Sequence, residues 1–346
     1  MEKLTELLKK HYDNHPDMEV RDAVKFLYQH HMGPGHLIDN EEAALSRLEA
    51  EWEQVEADST FPLAEALGNG LHRLNLSACK AKHLSPKTVC RLFVLTAREA
   101  MSDRSALERD LDLVYELPFP RETAAAFLTQ YRSDGCLALG HSERYRRAYR
   151  PAYRVVSESY VNLLPILSAI DRGMAAEPRF RVAIDGPCAS GKSTLGASLA
   201  KVYRCPLVHM DDFFLRPDQR TAERLAQPGG NVDYERFDRE VLSPLCRGET
   251  VRYRPWQCRA ADFGPEITLE PSPLTVVEGS YALRPDLRDR YHLRIWVEAP
   301  WEVRLSRLAQ RGGPGCLNRF QTQWIPMEDR YFQVCRVKEC CQLTYP

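Results

Sequence analysis

Apolar residues recur at helical spacing through the first half of the chain. Leu4, Leu7 and Leu8 share one face, as do Val24, Phe26 and Leu27. Leu45, Leu48 and Trp52 follow, then Val89, Leu92, Val94 and Leu95. Steps of three and four residues stack side chains along one stripe of a helix. Segments 105–117, 121–132 and 142–172 carry the same signal. Ser85-Pro86 and Pro120 stand where helices would start, and Gly135 and Gly140 where they would stop. No alternating strand pattern stands out, so residues 1–174 are expected to form an all-α domain.

The pattern changes near Glu177-Pro178. Residues 179–185 (RFRVAID) read as a short buried strand. Further short apolar runs lie at 206–209, 274–278 and 292–297, separated by helical stretches at 192–203, 234–246 and 300–311. Strands alternating with helices predict a parallel sheet with helices on both faces. A second domain is expected over 178–346, an α/β unit with five or so strands. Its Pro- and Gly-rich segments 227–231 and 311–315 read as loops.

Composition narrows the class. A length of 346 residues suits two domains of roughly 150 residues each. With 44% hydrophobic and 27% charged residues, cores can form without metals or disulfides. A formal net charge of -1 gives no overall field to attract nucleic acid. No apolar run approaches the roughly 18 residues of a membrane span, and the opening MEKLTELLKKHYDNHPD lacks the apolar stretch of a secretory signal. The 11 cysteines form no CxxC pair, so reduced thiols and a cytoplasmic location are expected. A homo-oligomer is compatible with the sequence.

The strongest chemical signal is GPCASGKST, Gly186 to Thr194, which matches GxxxxGK[ST]. Glycines let such a loop curl so that the N–H groups of Ala189, Ser190, Gly191 and their neighbours converge on one phosphate. The helix that follows turns its positive end toward the same anion. Lys192 is expected to reach the β- and γ-phosphates, and the Ser193 hydroxyl to bind Mg²⁺, with Thr194 completing the cradle. The expected ligands are therefore ATP, or another nucleoside triphosphate, and Mg²⁺. Cys188 sits inside the loop, where a helix N-terminus would lower its pKa; a merely small residue is the favoured reading over a redox role.

A phosphate loop alone does not distinguish a kinase from a switch or a motor. After the second predicted strand comes HMDDFFLRP, which puts two acids at a strand's carboxyl end, where open α/β sheets bind ligands. Asp211 is the expected base for an acceptor hydroxyl, with Asp212 beside it. The strand TVVEG ends in Glu278, a second expected Mg²⁺ ligand. WEVRLSRLAQR places Arg304, Arg307 and Arg311 on successive helical turns, ahead of a glycine-rich stretch and Arg319. Such a lid would close arginines over a transferring phosphoryl group.

In this order the motifs of residues 178–346 resemble the uridine kinase and phosphoribulokinase branch of P-loop kinases. The resemblance runs through GPCASGKST, MDDFFL, NVDYERFD, VVEGSYAL, LRDRYHLRIWVEAPWEVRLSR and QWIPMEDRYF. It implies Asp211 as base, Ser193 and Glu278 at Mg²⁺, and Arg307 with Arg311 near the ATP phosphates. It also implies an acceptor site drawn from Asp212, Phe214, Asp233, Tyr234 and Trp256. Two departures bear on the acceptor. Leu308 stands where uridine kinases carry a second arginine, and the Arg254–Gly264 stretch offers Trp256 and Gln257 without the family's histidine. The implied activity is ATP-dependent phosphorylation of a hydroxyl on a small metabolite, with uridine itself in doubt. The alternative is a nucleotide-dependent regulatory protein whose helical half binds a partner.

Two clusters stand out in the first half. His30, His31 and His36 surround a Gly-Pro-Gly turn, and Tyr145, Tyr149 and Tyr153 interleave with Arg146, Arg147, Arg150 and Arg154. The histidine spacing fits no established metal site, and the Tyr/Arg run is expected to pack its rings and solvate its cations.

Overall fold

The computed structural model describes residues 3–38 and 40–346, and the side chains of all of these except 312–316. The chain divides into two compact units, Met1–Asp171 and Arg172–Pro346.

In the first unit helices span Leu4–Asn14, Val20–Met32, Glu41–Gln54, Pro86–Glu99 and Arg121–Ser133, with shorter ones between. The Ser85 hydroxyl accepts from the Thr88 N–H and caps the helix that opens at Pro86. The unit is not all-α. Three strands, β1 (Ala64–Gly68), β2 (Leu71–Asn75) and β3 (Tyr153–Ser157), form an antiparallel sheet in that order. Helical periodicity hid them for two reasons. Ala-Glu-Ala-Leu in β1 consists of helix formers, and only the Gly-Asn-Gly that follows betrays a hairpin. Asn69 and Gly70 lie at φ +53° and +70°, as a tight hairpin turn needs. The expected helix over 142–172 also breaks. Its first part ends at Tyr149, Arg150 turns left-handed at φ +42°, and Pro151 follows. Val155 and Val156 then pair with β2, where β-branched side chains suit the pleat.

The second unit is an α/β layer. Strands β4 (Phe180–Asp185), β5 (Leu207–His209), β10 (Leu274–Glu278), β11 (Leu293–Val297) and β12 (Leu343–Tyr345) form a five-stranded parallel sheet in the order β12-β11-β4-β10-β5. Two short antiparallel ribbons sit between β5 and β10: β6 (Val251–Tyr253) with β9 (Ile267–Leu269), and β7 (Trp256–Gln257) with β8 (Asp262–Phe263). Every residue of β10 is buried, and so is nearly every one of β4, as expected where both faces of a sheet are covered. Ala183, Val208 and Val277 belong to one core with Phe213, Phe237, Val241 and Tyr331. The helix Trp301–Arg319 runs through the segment 311–315 that reads as a loop in the sequence. Strand β12 carries no strong sequence signal.

Candidate active site

The Gly186–Gly191 loop leaves β4 at its carboxyl end and enters the helix Lys192–Tyr203. Gly186, at φ +150°, begins the turn; a Cβ there would lie 2.1 Å from the Val297 carbonyl oxygen, so no other residue fits. Gly191, at φ +119°, closes it. The Lys192 ammonium donates to the carbonyls of Gly186 (2.8 Å) and Pro187 (2.9 Å), which holds it over the loop. The Ser190 hydroxyl is buried without a hydrogen-bond partner. A polar atom left so is costly unless a ligand or water meets it.

Sheet register sets the next contacts. Glu278 lies opposite Ile184 on one side and opposite His209 on the other. Its carboxylate accepts from the Ser193 hydroxyl at 3.2 Å through one oxygen, and from His209 Nδ1 at 2.5 Å through the other. This bond to Glu278 raises the pKa of His209, outweighing burial. Glu278 is only 4% exposed. Ser193 and Glu278 thus share a hydroxyl and a carboxylate at one spot, a donor set that suits a hard divalent cation.

Asp211 and Asp212 follow β5 in a 3₁₀ turn, Met210–Phe213. Asp211 reaches solvent but sits low among protein atoms. Desolvation, with the nearby Glu278 charge, raises its pKa against the pull of Lys192. Asp212 is also raised, again chiefly by burial. It accepts from the Tyr253 hydroxyl at 3.2 Å, and its carbonyl accepts from Arg236 at 2.6 Å. Asp211 is thereby the freer of the two acids.

The residues expected at the acceptor divide. Asp233 caps the short helix Tyr234–Phe237: one oxygen accepts from the Arg236 N–H at 3.0 Å and the other from Gln219 at 2.7 Å. Tyr234 lies in the core, its ring under Arg284, with a buried and unpartnered hydroxyl. Phe214 bridges to Val232, and Trp256 packs edge-on against Phe263. Phe214 thus belongs to the 211–215 segment and Trp256 to the β7–β8 ribbon, while Tyr234 is a core residue.

The arginines of the helix Trp301–Arg319 act on the loop itself. Arg307 donates from one nitrogen to the carbonyls of Ala189 (2.9 Å) and Ser190 (3.0 Å), and Arg304 donates to that of Cys188 at 2.9 Å. Arg311 is exposed, one turn farther on. Burial and the neighbouring Glu328 push the Cys188 thiol up to about 11, the reverse of what the helix terminus suggested.

Four supporting residues escaped the sequence reading. Asp185, the fully buried last residue of β4, accepts from the N–H of Gly186 (2.7 Å) and of Leu283 (3.0 Å), and from the Tyr331 hydroxyl (2.9 Å). Burial carries its pKa up to about 7 despite Lys192. Glu328 accepts from the Cys188 N–H and from Ser280, each at 2.8 Å. His209 opens the HMDDFFLRP motif but carries no chemical signature of its own there. Apart from the adjacent Gly186, the partners of Asp185, Ser280 and Glu328 are 48 to 146 residues away, beyond the reach of any local pattern.

No family model and no curated protein matches the chain. Among solved structures, a "possible uridine kinase" from Bacillus stearothermophilus aligns at 16% identity and a TM-score of 0.40, over 52% of this chain and 99% of that one. A candidate fructose transport system kinase from Silicibacter sp. TM1040 aligns at 27% identity and 0.41, over 49% and 90%. Shikimate kinase from Aquifex aeolicus vf5 aligns at 15% identity and 0.25, over 48% and 85%. At these scores the chemistry rests on the site's own geometry.

Proposed function

We propose that the Arg172–Pro346 unit is an ATP- and Mg²⁺-dependent kinase that phosphorylates a hydroxyl of a small metabolite. The carrying observation is the pairing of Ser193 with Glu278 beside the Lys192 loop, with Asp211 one strand over. The glycine-only turn at 186 and the unpartnered Ser190 hydroxyl fit a loop built to receive phosphate.

Each residue has a role in this reading. Loop N–H groups from Ala189 to Thr194 and the Lys192 ammonium hold the phosphates, and Lys192 has one N–H left beyond its two loop carbonyls. Ser193 and Glu278 hold the cation, and His209 keeps Glu278 oriented. A bound nucleoside triphosphate with Mg²⁺ supplies the transferable phosphoryl group and neutralises its charge. Asp211 takes the proton of the attacking hydroxyl, and its raised pKa makes it a better base than an ordinary aspartate. Arg307 uses one nitrogen on the loop, leaving the rest of its fork to face developing charge. The test is ADP release over a panel of nucleosides, vitamins and sugars, with mass spectrometry to find which compound gains a phosphoryl group. ATP binding with no acceptor phosphorylated would overturn the proposal.

A further inference from the structure

Three cations of the first unit come together at one short stretch of backbone. Arg21 and Lys25 stand one turn apart on the helix Val20–Met32, and Arg146 is on the helix Glu143–Tyr149. All three converge on Leu139 and Gly140. The Lys25 ammonium donates to the Leu139 carbonyl at 2.9 Å, and Arg21 Nε donates to the Gly140 carbonyl at 2.8 Å. A terminal nitrogen of Arg146 lies 2.6 Å from the point where a Cβ on Gly140 would stand. The missing side chain of Gly140 thus makes room for the Arg146 fork.

Neighbouring cations have their acids. Arg144 is held by Asp17 at 2.6 Å, Arg147 by Glu143 at 3.1 Å, and the buried Arg73 lies 3.6 Å from Glu65. Arg21, Lys25 and Arg146 form no ion pair among the described residues. Asp22 is the acid whose charge reaches Lys25, but its oxygens are already taken. One accepts from His141 Nδ1 and the Ser142 N–H, the other from the Ser142 hydroxyl and the Glu19 N–H. Burial, then the charges of Arg73, Arg146 and Arg21, push Lys25 down to about 8 in spite of Asp22. Like charges crowded in this way repel, and a bound anion would relieve them.

Donors remain free to meet it. After its bond to Leu139, Lys25 keeps two N–H; Arg21 keeps both terminal nitrogens, and Arg146 its whole fork. Arg21 and Arg146 are exposed and Lys25 is partly so, which leaves these groups open to a ligand from solvent. The surroundings narrow the choice of anion. Residues 1–171 hold 21 Lys and Arg against 26 Asp and Glu, so a nucleic acid would be repelled beyond this one spot. Two guanidinium forks and an ammonium suit a compact, doubly charged oxyanion instead. We infer that the first unit binds a phosphate group, as inorganic phosphate or as the monoester of a small metabolite, against Arg21, Lys25 and Arg146. This stands apart from the kinase reading, which concerns the second unit.

The probe is inorganic phosphate, titrated calorimetrically into the full chain carrying Lys192→Ala, which disables the Gly186–Gly191 loop as a competing site. Ionic strength is held at about 0.15 M with sodium chloride, where weak surface attraction is screened. Phosphate should bind with a Kd below about 1 mM, at least about tenfold tighter than acetate. Arg146→Ala and Lys25→Met should each weaken it about tenfold or more. Arg146→Lys, which keeps the charge without the fork, should recover part of that loss. Because Arg146 is exposed, its variants keep the test sharp even if Lys25→Met folds poorly. Glycerol 3-phosphate is the second probe: tighter binding than phosphate identifies an organic monoester as the ligand, and equal or weaker binding identifies phosphate itself. Equal affinity for phosphate and acetate, or a phosphate affinity unchanged in Arg146→Ala, overturns the inference.

Discussion

Replacing Asp211 by Asn tests the proposed chemistry most directly. The side chain keeps its size and loses its charge and its basicity. Asp211 makes no hydrogen bond that holds the fold, whereas Asp212 is anchored by Tyr253 and Arg236. Loss of a positioned general base costs about 10²- to 10⁴-fold in rate, or about 3–5 kcal/mol of transition-state stabilisation. Affinity for ATP should hold or rise slightly, because a negative charge close to Glu278 and Lys192 is removed. The pH profile supplies a second readout. A raised pKa keeps Asp211 protonated and inactive further up the scale than a free carboxyl. In the wild type the rate therefore rises with pH through a limb lying above the ordinary aspartate value of 3.8. That limb should vanish in Asp211→Asn. The assay is ADP release at saturating ATP over pH 4 to 9, with nucleotide affinity from fluorescence titration. A kcat within about threefold of wild type, with the limb intact, would refute the role of Asp211.

Gly186→Ala drives a methyl into the Val297 carbonyl at 2.1 Å. It should abolish nucleotide binding and cost about 1–3 kcal/mol of stability, seen as a Tm drop of about 2–12 °C by calorimetry; an unchanged titration would contradict the loop geometry. With its pKa near 11, the Cys188 thiol is thiolate in only about one molecule in a few thousand at pH 7.5. Its alkylation by iodoacetamide, followed by peptide mass spectrometry, should accordingly be slow in the native protein and rise sharply in urea. In the first unit Arg73 is 3% exposed and donates to Gln29 at 2.9 Å and to His11 at 2.9 Å. Arg73→Ala should destabilise that unit by about 3–5 kcal/mol, since its partners are left buried, and chemical denaturation monitored by circular dichroism measures it.

Asp185 adds a dependence of stability on pH. Its folded pKa of about 7 exceeds the ordinary 3.8, so the folded state binds the proton more tightly. Its favourable contribution is complete below about pH 4 and fades as pH climbs toward 7. Asp185→Asn should flatten that part of the stability curve, read by urea unfolding at pH 4, 5.5 and 7; an unaltered slope would assign the dependence elsewhere.

Much of the second unit was legible because its signals are local. A phosphate loop must join a strand to a helix within a few residues, so glycine spacing, Lys192 and Ser193 announce themselves. Short apolar runs located β4, β5, β10 and β11 closely, since strands buried on both faces tolerate few polar residues. Asp211 and Glu278 were readable as acids at strand ends. The first unit was harder. Helix-forming residues in β1 gave the same periodicity as a helix, and β3 is a strand only because β2 lies beside it.

What tertiary structure alone decided is how side chains share their hydrogen bonds. Asp233, a plain candidate for the acceptor, proves to be a helix cap, and Tyr234 a core residue. Arg304 and Arg307 grip loop carbonyls rather than standing free. Arg216 and Arg236 come to line one cavity although 20 residues separate them in sequence, a proximity no linear pattern describes. Residue type and short spacing determine which chemistry a chain can support. Burial and long-range pairing determine which of those groups are spent on the fold and which keep the capacity to meet a ligand.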